Sequence, residues 1–207
     1  MPAMNLYDFL APAYDPAFAA IYRPFRERAL DGLPALPGAT VLDLACGTGQ
    51  NFPRLAECIG ARGKIIGVDI SAGMLRRAAR RGLQNVTLRQ CDAAKGLGME
   101  EHIDAVVCTY GFTAMRDWRG AFAASWDALA PGGIYLIHDI DGQRRNLHTR
   151  AVELATRCDF SGKVWQPLEQ MGADFRMDYL EPSAHLFGGR LFVALGTKPP
   201  TPRACPS

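Results

Sequence analysis

Five short apolar runs, near 40–45, 64–69, 86–90, 103–109 and 133–139, punctuate the chain, and each has the length and make-up of a strand covered on both faces. Helix-like stretches separate them near 50–59, 72–82, 118–129 and 144–158. Ser71 suits an N-cap and Gly82 a C-terminal stop for the second helix, while Pro131-Gly132-Gly133 reads as a turn into the fifth strand. Strands alternating with helices imply a parallel sheet with right-handed crossovers. The end of the chain breaks that pattern. Residues 174–184 and 189–197 are joined through Leu186-Phe187-Gly188-Gly189, a connection so short that it demands an antiparallel hairpin. The expected plan is a helical N-terminal segment over 1–38, closed by Pro34, Pro37 and Gly38, one α/β domain over 39–198, and an unstructured proline-rich tail over 199–207.

Composition narrows this little. At 207 residues, with 48% hydrophobic and 21% charged positions, the chain suits one α/β domain with a small appendage. A net charge of +2 gives no mandate for nucleic acid. No apolar run approaches the roughly 18 residues that span a bilayer, and the N-terminus lacks the pattern of a secretory signal, so a cytoplasmic protein is expected. Cysteines at 46, 58, 91, 108, 158 and 205 include no CxxC pair and no metal-ligand spacing, which predicts reduced structural thiols and no metal.

Chemistry enters at the first strand. Val41-Leu42-Asp43-Leu44-Ala45-Cys46 runs into Gly47-Thr48-Gly49, and the second strand, Ile65-Ile66-Gly67-Val68, ends in Asp69. A strand, a tight glycine turn, a helix and a second strand ending in a carboxylate form half of a nucleoside site, the acid facing the two ribose hydroxyls. A dinucleotide fingerprint needs a third glycine, whereas here Gln50, Asn51 and Phe52 follow. A nucleoside without a pyrophosphate fits better, and S-adenosylmethionine fits best.

The stretches VLDLACGTGQNF (41–52), GVDISAGML (67–75), CDAA (91–94), DAVVCTYGF (104–112) and LAPGGIYLIHD (129–139) resemble, in order and spacing, the class I S-adenosylmethionine-dependent methyltransferases. The resemblance covers roughly half the chain. It implies a Rossmann-like, doubly wound seven-stranded sheet of order 3-2-1-4-5-7-6, the seventh strand antiparallel, with S-adenosylhomocysteine as product. Gly47 and Gly49 would bend under the methionine half, where a Cβ would collide with it. Asp43 would hold the ammonium group, unless it only ties turn amides. Asp69 would accept both ribose hydroxyls, or else serve as a helix N-terminal acid. Ile70 and Met74 would sandwich the adenine, with core packing an equal role for Met74. Asp92 and the Ala93 amide would read the adenine edge, and Ala45, Asn51, Cys91 and Thr109 complete the cofactor set.

Methyl transfer from a sulfonium disperses charge, so placement and water exclusion matter most, and only a hydroxyl or carbon acceptor also needs a base. Tyr7 and Tyr14 lie seven residues apart, about two helical turns, and resemble a lid over the cofactor; a plain amphipathic helix is the alternative, although Pro12 and Pro16 favour a hinge. Tyr110, with Thr109, lines the site by position. The stretch Cys108-Thr109-Tyr110-Gly111-Phe112 lacks the Asn-Pro-Pro-Tyr of relatives that methylate nucleic-acid or protein nitrogens. His138 is a candidate base, with strand alternation sending Asp139 the other way; a lone histidine is more often structural. His102, His148 and His185 lack motif support. The stripe Arg76, Arg77, Arg80 and Arg81 is by default solvated surface, with weak attraction to an anionic membrane as the alternative.

The expected substrate is a small molecule or lipid head group, met by a monomer or homodimer. The N-terminal pattern and the closing 187–198 segment are loosely similar to bacterial phospholipid and quinone methyltransferases. A non-methylating cofactor-binding protein, or a cofactor-assisted enzyme of another reaction type, is the alternative; a nicotinamide oxidoreductase is disfavoured by the missing glycine.

Overall fold

The apolar runs form the centre of a seven-stranded sheet. The computed structural model describes residues 22–142, 147–156, 158–180 and 189–200. Its elements, in chain order, are α1 (22–30), β1 (Thr40–Leu44), α2 (Phe52–Ile59), β2 (Lys64–Asp69), α3 (Ala72–Ala79), β3 (Val86–Gln90), β4 (Ile103–Thr109), α4 (Trp118–Ala128), β5 (Leu129–Asp141), α5 (Leu147–Thr156), α6 (Gln166–Met171), β6 (Ala173–Tyr179) and β7 (Arg190–Thr197). The strand order is β3-β2-β1-β4-β5-β7-β6. β1 to β5 are parallel, and β7 runs antiparallel to both β5 and β6. This is the expected Rossmann-like topology, and the expected hairpin is β6–β7, whose connection over 181–188 lies outside the described residues.

Alternation along the strands divides the core in two. Val41, Ile65, Val107 and Leu136 pack on the face covered by α1, α2 and α3. Leu42, Ile66, Val106 and Ile137 pack on the face covered by α4 and α6. Two local expectations change. Pro131-Gly132-Gly133 is no turn between helix and strand, because α4 passes directly into β5. These residues instead form a bulge between the Ile103–Leu129 and Ala105–Ile134 pairs, opened by Gly132 at φ 80. Lys198 ends the domain in an anchored position: its Nζ donates to the carbonyls of Trp126 and Leu129 at 2.7 Å and closes the C-terminal end of α4. α3 stops three residues early, at Ala79, and Gly82, at φ 67, ends the following turn.

The described part of the N-terminal segment is built into the domain. Ala29, Leu30 and Leu33 are 0–6% exposed and share a cluster with Val41, Leu136 and Leu195. Residues 1–21, with the proposed lid, lie outside the described residues. Among the described residues, no helix is long and apolar enough to cross a membrane.

Candidate cofactor site

Sheet order reverses at β1, with β2 on one side and β4 on the other, and ligands of such sheets sit beyond the C-terminal strand ends at that point. Asp43, Asp69, Thr109 and His138 come from four strands. The two-residue alternation places them all on the face of Val41, Ile65, Val107 and Leu136, below α1 and α2. Asp139 points to the other face, where its carboxylate accepts from Thr113 Oγ1 at 2.6 Å and Thr113 N at 3.1 Å. Burial pushes its pKa up to about 6, opposed by those bonds.

Asp69 holds the glycine turn. One carboxylate oxygen accepts from Gly47 N and the other from Ser71 N, both at 2.8 Å. The acid is half-buried and directed into the turn. Ser71 caps α3 as expected, accepting from Met74 N at 3.1 Å. Beyond β1, Ala45 and Gly47 have φ of 55 and 54, and beyond β4 Tyr110 has φ 54. A left-handed conformation at two non-glycine residues beside one crevice is strain of the kind that gathers at functional sites.

The two turn glycines have separate reasons. A Cβ on Gly47 would meet nothing within 4 Å, so the space above it is open. A Cβ on Gly49 would lie 2.4 Å from the Phe52 ring, so there the protein itself, not the cofactor, requires glycine. Phe52 stands where a dinucleotide fold has its third glycine. It is fully buried and fills the gap between α2 and β2 so closely that a Cβ at Gly67 would sit 2.8 Å from it. The absent glycine is therefore replaced by a wedge that holds helix and strand apart.

Asp43 is the most unusual group in the site. It is fully buried, and its Oδ1 accepts from Asn51 Nδ2 at 2.8 Å. Its Oδ2 is buried with no hydrogen-bond partner. Burial pushes its pKa up to about 7, the Asn51 bond and the Arg26 charge acting the other way. Asn51 also donates to Thr109 Oγ1 at 3.0 Å, which draws its side chain away from capping α2 and ties β1 to β4. A buried acid with an orphaned oxygen fits a cationic group, and an ammonium is one.

The remaining residues of the predicted set divide. Ile70 is 49% exposed at the crevice edge, while Met74 is 3% exposed and packed inward. Cys91 is half-buried and Ala93 buried. Asp92 caps a short 3-10 turn, its Oδ1 accepting from Ala94 N at 3.2 Å. His138 is fully buried and does not face solvent. Its Nδ1 lies 2.7 Å from Phe192 O, an acceptor only, so Nδ1 carries the proton and Nε2 accepts from Tyr110 Oη at 2.7 Å. Burial lowers its pKa to about 4 and keeps it neutral. His138 thus reaches the crevice only through Tyr110. Tyr7 and Tyr14 lie outside the described residues.

Three contributors had no motif to reveal them. Arg26 of α1, 8% exposed, donates to Gln50 Oε1 and lies 5.6 Å from the Tyr110 ring centroid. Tyr22 meets Tyr110 edge-on at 4.8 Å. Arg81, expected in a solvated stripe, folds back so that its Nε donates to Thr48 O in the glycine turn at 2.6 Å. Helical spacing marks all three only as polar or aromatic positions; what they touch comes from elsewhere in the chain.

Residues 41–133 match the family model of a methyltransferase domain. The match covers a little under half of the chain, and with the relatives below it supports a place among the class I S-adenosylmethionine-dependent methyltransferases. Among its relatives is the aklanonic acid methyltransferase DauC of Streptomyces sp. (strain C5), 31% identical over 131 residues, an alignment covering 61% of this chain and 60% of that protein. The chain therefore spans less than two thirds of that relative. The 2-phytyl-1,4-naphtoquinone methyltransferase of Thermosynechococcus vestitus is 28% identical over 188 residues, 88% of this chain and 82% of that one. In fold, the chain is similar to the putative methyltransferase solved in complex with the Haloferax volcanii Trm112 activator. The TM-score is 0.78 at 17% identity, over 95% of this chain and 99% of that chain. The family's cofactor is S-adenosylmethionine.

Proposed function

We propose that this chain is an S-adenosylmethionine-dependent methyltransferase acting on a small molecule or lipid head group. The observation that carries the reading is the orphaned, buried Oδ2 of Asp43, an anion-in-waiting set below an open glycine turn. When bound, S-adenosylmethionine supplies an electrophilic methyl group on a sulfonium.

In this reading Asp43 holds the ammonium, Gly47 leaves room for the methionine half, and Ala45 and Asn51 shape that end. Asp69 accepts the ribose hydroxyls while keeping the turn in place. Ile70 and Met74 flank the adenine, and Cys91, Asp92 and Ala93 border its edge. Thr109 and Tyr110 line the acceptor side. Tyr110 donates its hydroxyl hydrogen bond to His138 Nε2, so its oxygen faces the acceptor as a hydrogen-bond acceptor only, and His138 positions it. Tyr7 and Tyr14 are proposed to cover the acceptor. The small acceptor rests on the short stretch between β5 and β6, and the names of the quinone and aklanonic acid relatives support it.

Isothermal titration with S-adenosylmethionine, S-adenosylhomocysteine and NAD tests the binding half. The reading expects both adenosyl ligands to bind and NAD not to; the reverse pattern overturns it. Methyl transfer from labelled cofactor to a panel of phenols, quinols and amines tests the chemical half.

A further inference from the structure

α5 carries two exposed leucines. Leu147 and Leu154 are 85% and 83% exposed, whereas Thr149 is buried and Glu153 faces inward, accepting from Phe160 N at 3.1 Å. A seven-residue spacing is about two turns, so the two leucines share one outer face about 10 Å apart, with exposed Arg150 between them. Single exposed leucines are ordinary; two aligned on one helix face beside an exposed arginine are not.

The helix is placed at the mouth of the site. Its exit is pinned to the loops that follow β4 and β5: Asp159 N donates to Thr113 O at 2.7 Å, and Gly142 N to Phe160 O at 2.9 Å. The exit of α5 therefore lies beside the loops at the C-terminal ends of β4 and β5, the end at which β4 carries Thr109.

We propose that this face, Leu147, Arg150 and Leu154, docks on an anionic lipid surface. The charge supports that occupant: the sequence from 143 to 157 carries four arginines against one acid, Glu153, which is directed inward. Leucines at the acyl boundary flanked by cations in the headgroup layer are how an in-plane helix binds a membrane. A second copy of this face is a poorer partner, because two-fold pairing would bring two Arg150 side chains of like charge together. Docking so would turn the rim of the site toward the bilayer, where an apolar acceptor is concentrated. The inference stands apart from the proposed reaction, since lipid binding needs no cofactor.

Vesicle co-sedimentation of the full chain tests it, with vesicles of phosphatidylcholine and phosphatidylglycerol in equal parts beside phosphatidylcholine alone. Binding to the mixed vesicles is expected. The double variant Leu147→Ser/Leu154→Ser should lower the partition coefficient by about a hundredfold, roughly tenfold for each leucine withdrawn from an apolar layer. Arg150→Glu should weaken binding and flatten its salt dependence. Both variants should keep the wild-type melting temperature and affinity for S-adenosylhomocysteine. No sedimentation of the wild type with mixed vesicles, equal binding by the double variant, or equal binding to phosphatidylcholine alone would overturn the proposal. So would a concentration-dependent dimer, seen by light scattering, that the leucine substitutions disperse.

Discussion

Asp43 is held under conditions that only a nearby cation relieves. Its folded pKa of about 7 lies above the ordinary 3.8, so the folded state keeps a proton that the unfolded chain has lost between those values. Stability from this group therefore falls as pH rises from 4 to 7, and above pH 7 the penalty is complete, on the order of 4 kcal/mol. Asp43→Asn should melt higher than wild type at pH 8, with the difference vanishing near pH 4, in a thermal scan against pH. The same variant should lose affinity for S-adenosylhomocysteine, and wild-type affinity should rise from pH 6 to pH 8 as the carboxyl ionises. His138 works in the other direction. With a folded value near 4 against 6.5, its stability is fully present above pH 6.5 and is lost as pH falls toward 4, up to about 3 kcal/mol. Tyr110→Phe leaves the buried His138 Nε2 unsatisfied and should cost about 1–3 kcal/mol by denaturant unfolding. It should also lower turnover more than cofactor affinity. Asp43 and Asp69 stand out in the sequence because the first lies in the strand that leads to the glycine turn and the second ends the next strand. That His138 is a buried neutral strut could not be read there, because its partners, Tyr110 and the Phe192 carbonyl, come from other strands.

At the level of elements, the glycine turn and its helix form one packed unit. Gly49→Ala combines φ 73 with a Cβ 2.4 Å from the Phe52 ring, and should destabilise by about 2–4 kcal/mol. Phe52→Leu should return part of that loss when added to it, a coupling that a double-mutant cycle measures. Gly47→Ala, with open space around its Cβ and only φ 54 to strain it, should cost about 1 kcal/mol while abolishing cofactor binding. Equal stability losses at the two positions would refute the separate reasons given for them. The glycine motif is plain in sequence, but motif alone assigned both glycines to the ligand. Only the position of Phe52, set by packing between α2 and β2, shows that one of them serves the protein. The Pro131-Gly132-Gly133 reading failed for a related reason, since turn residues inside a long strand make a bulge when the partner strand is shorter.

For the molecule as a whole, the parallel core and the terminal hairpin are legible in the sequence, whereas the strand order is implied by the family resemblance. Buried parallel strands read as apolar runs, and the antiparallel hairpin shows in its short glycine connection. What periodicity misses is the contribution of α1, which closes one face with Ala29 and Leu30 and brings Arg26 and Tyr22 to the crevice. An amphipathic helix shows which side is apolar, not which sheet face it will meet. The sheet thus collects Asp43, Asp69, Thr109 and His138 on one face, and the account stands or falls on what lies above them. The most direct measurement is calorimetric titration of S-adenosylhomocysteine and NAD into wild type and Asp69→Ala. The account predicts that S-adenosylhomocysteine binds wild type, that NAD does not, and that Asp69→Ala weakens binding by roughly 2–3 kcal/mol. NAD binding without adenosyl binding, or unchanged affinity in Asp69→Ala, would contradict it.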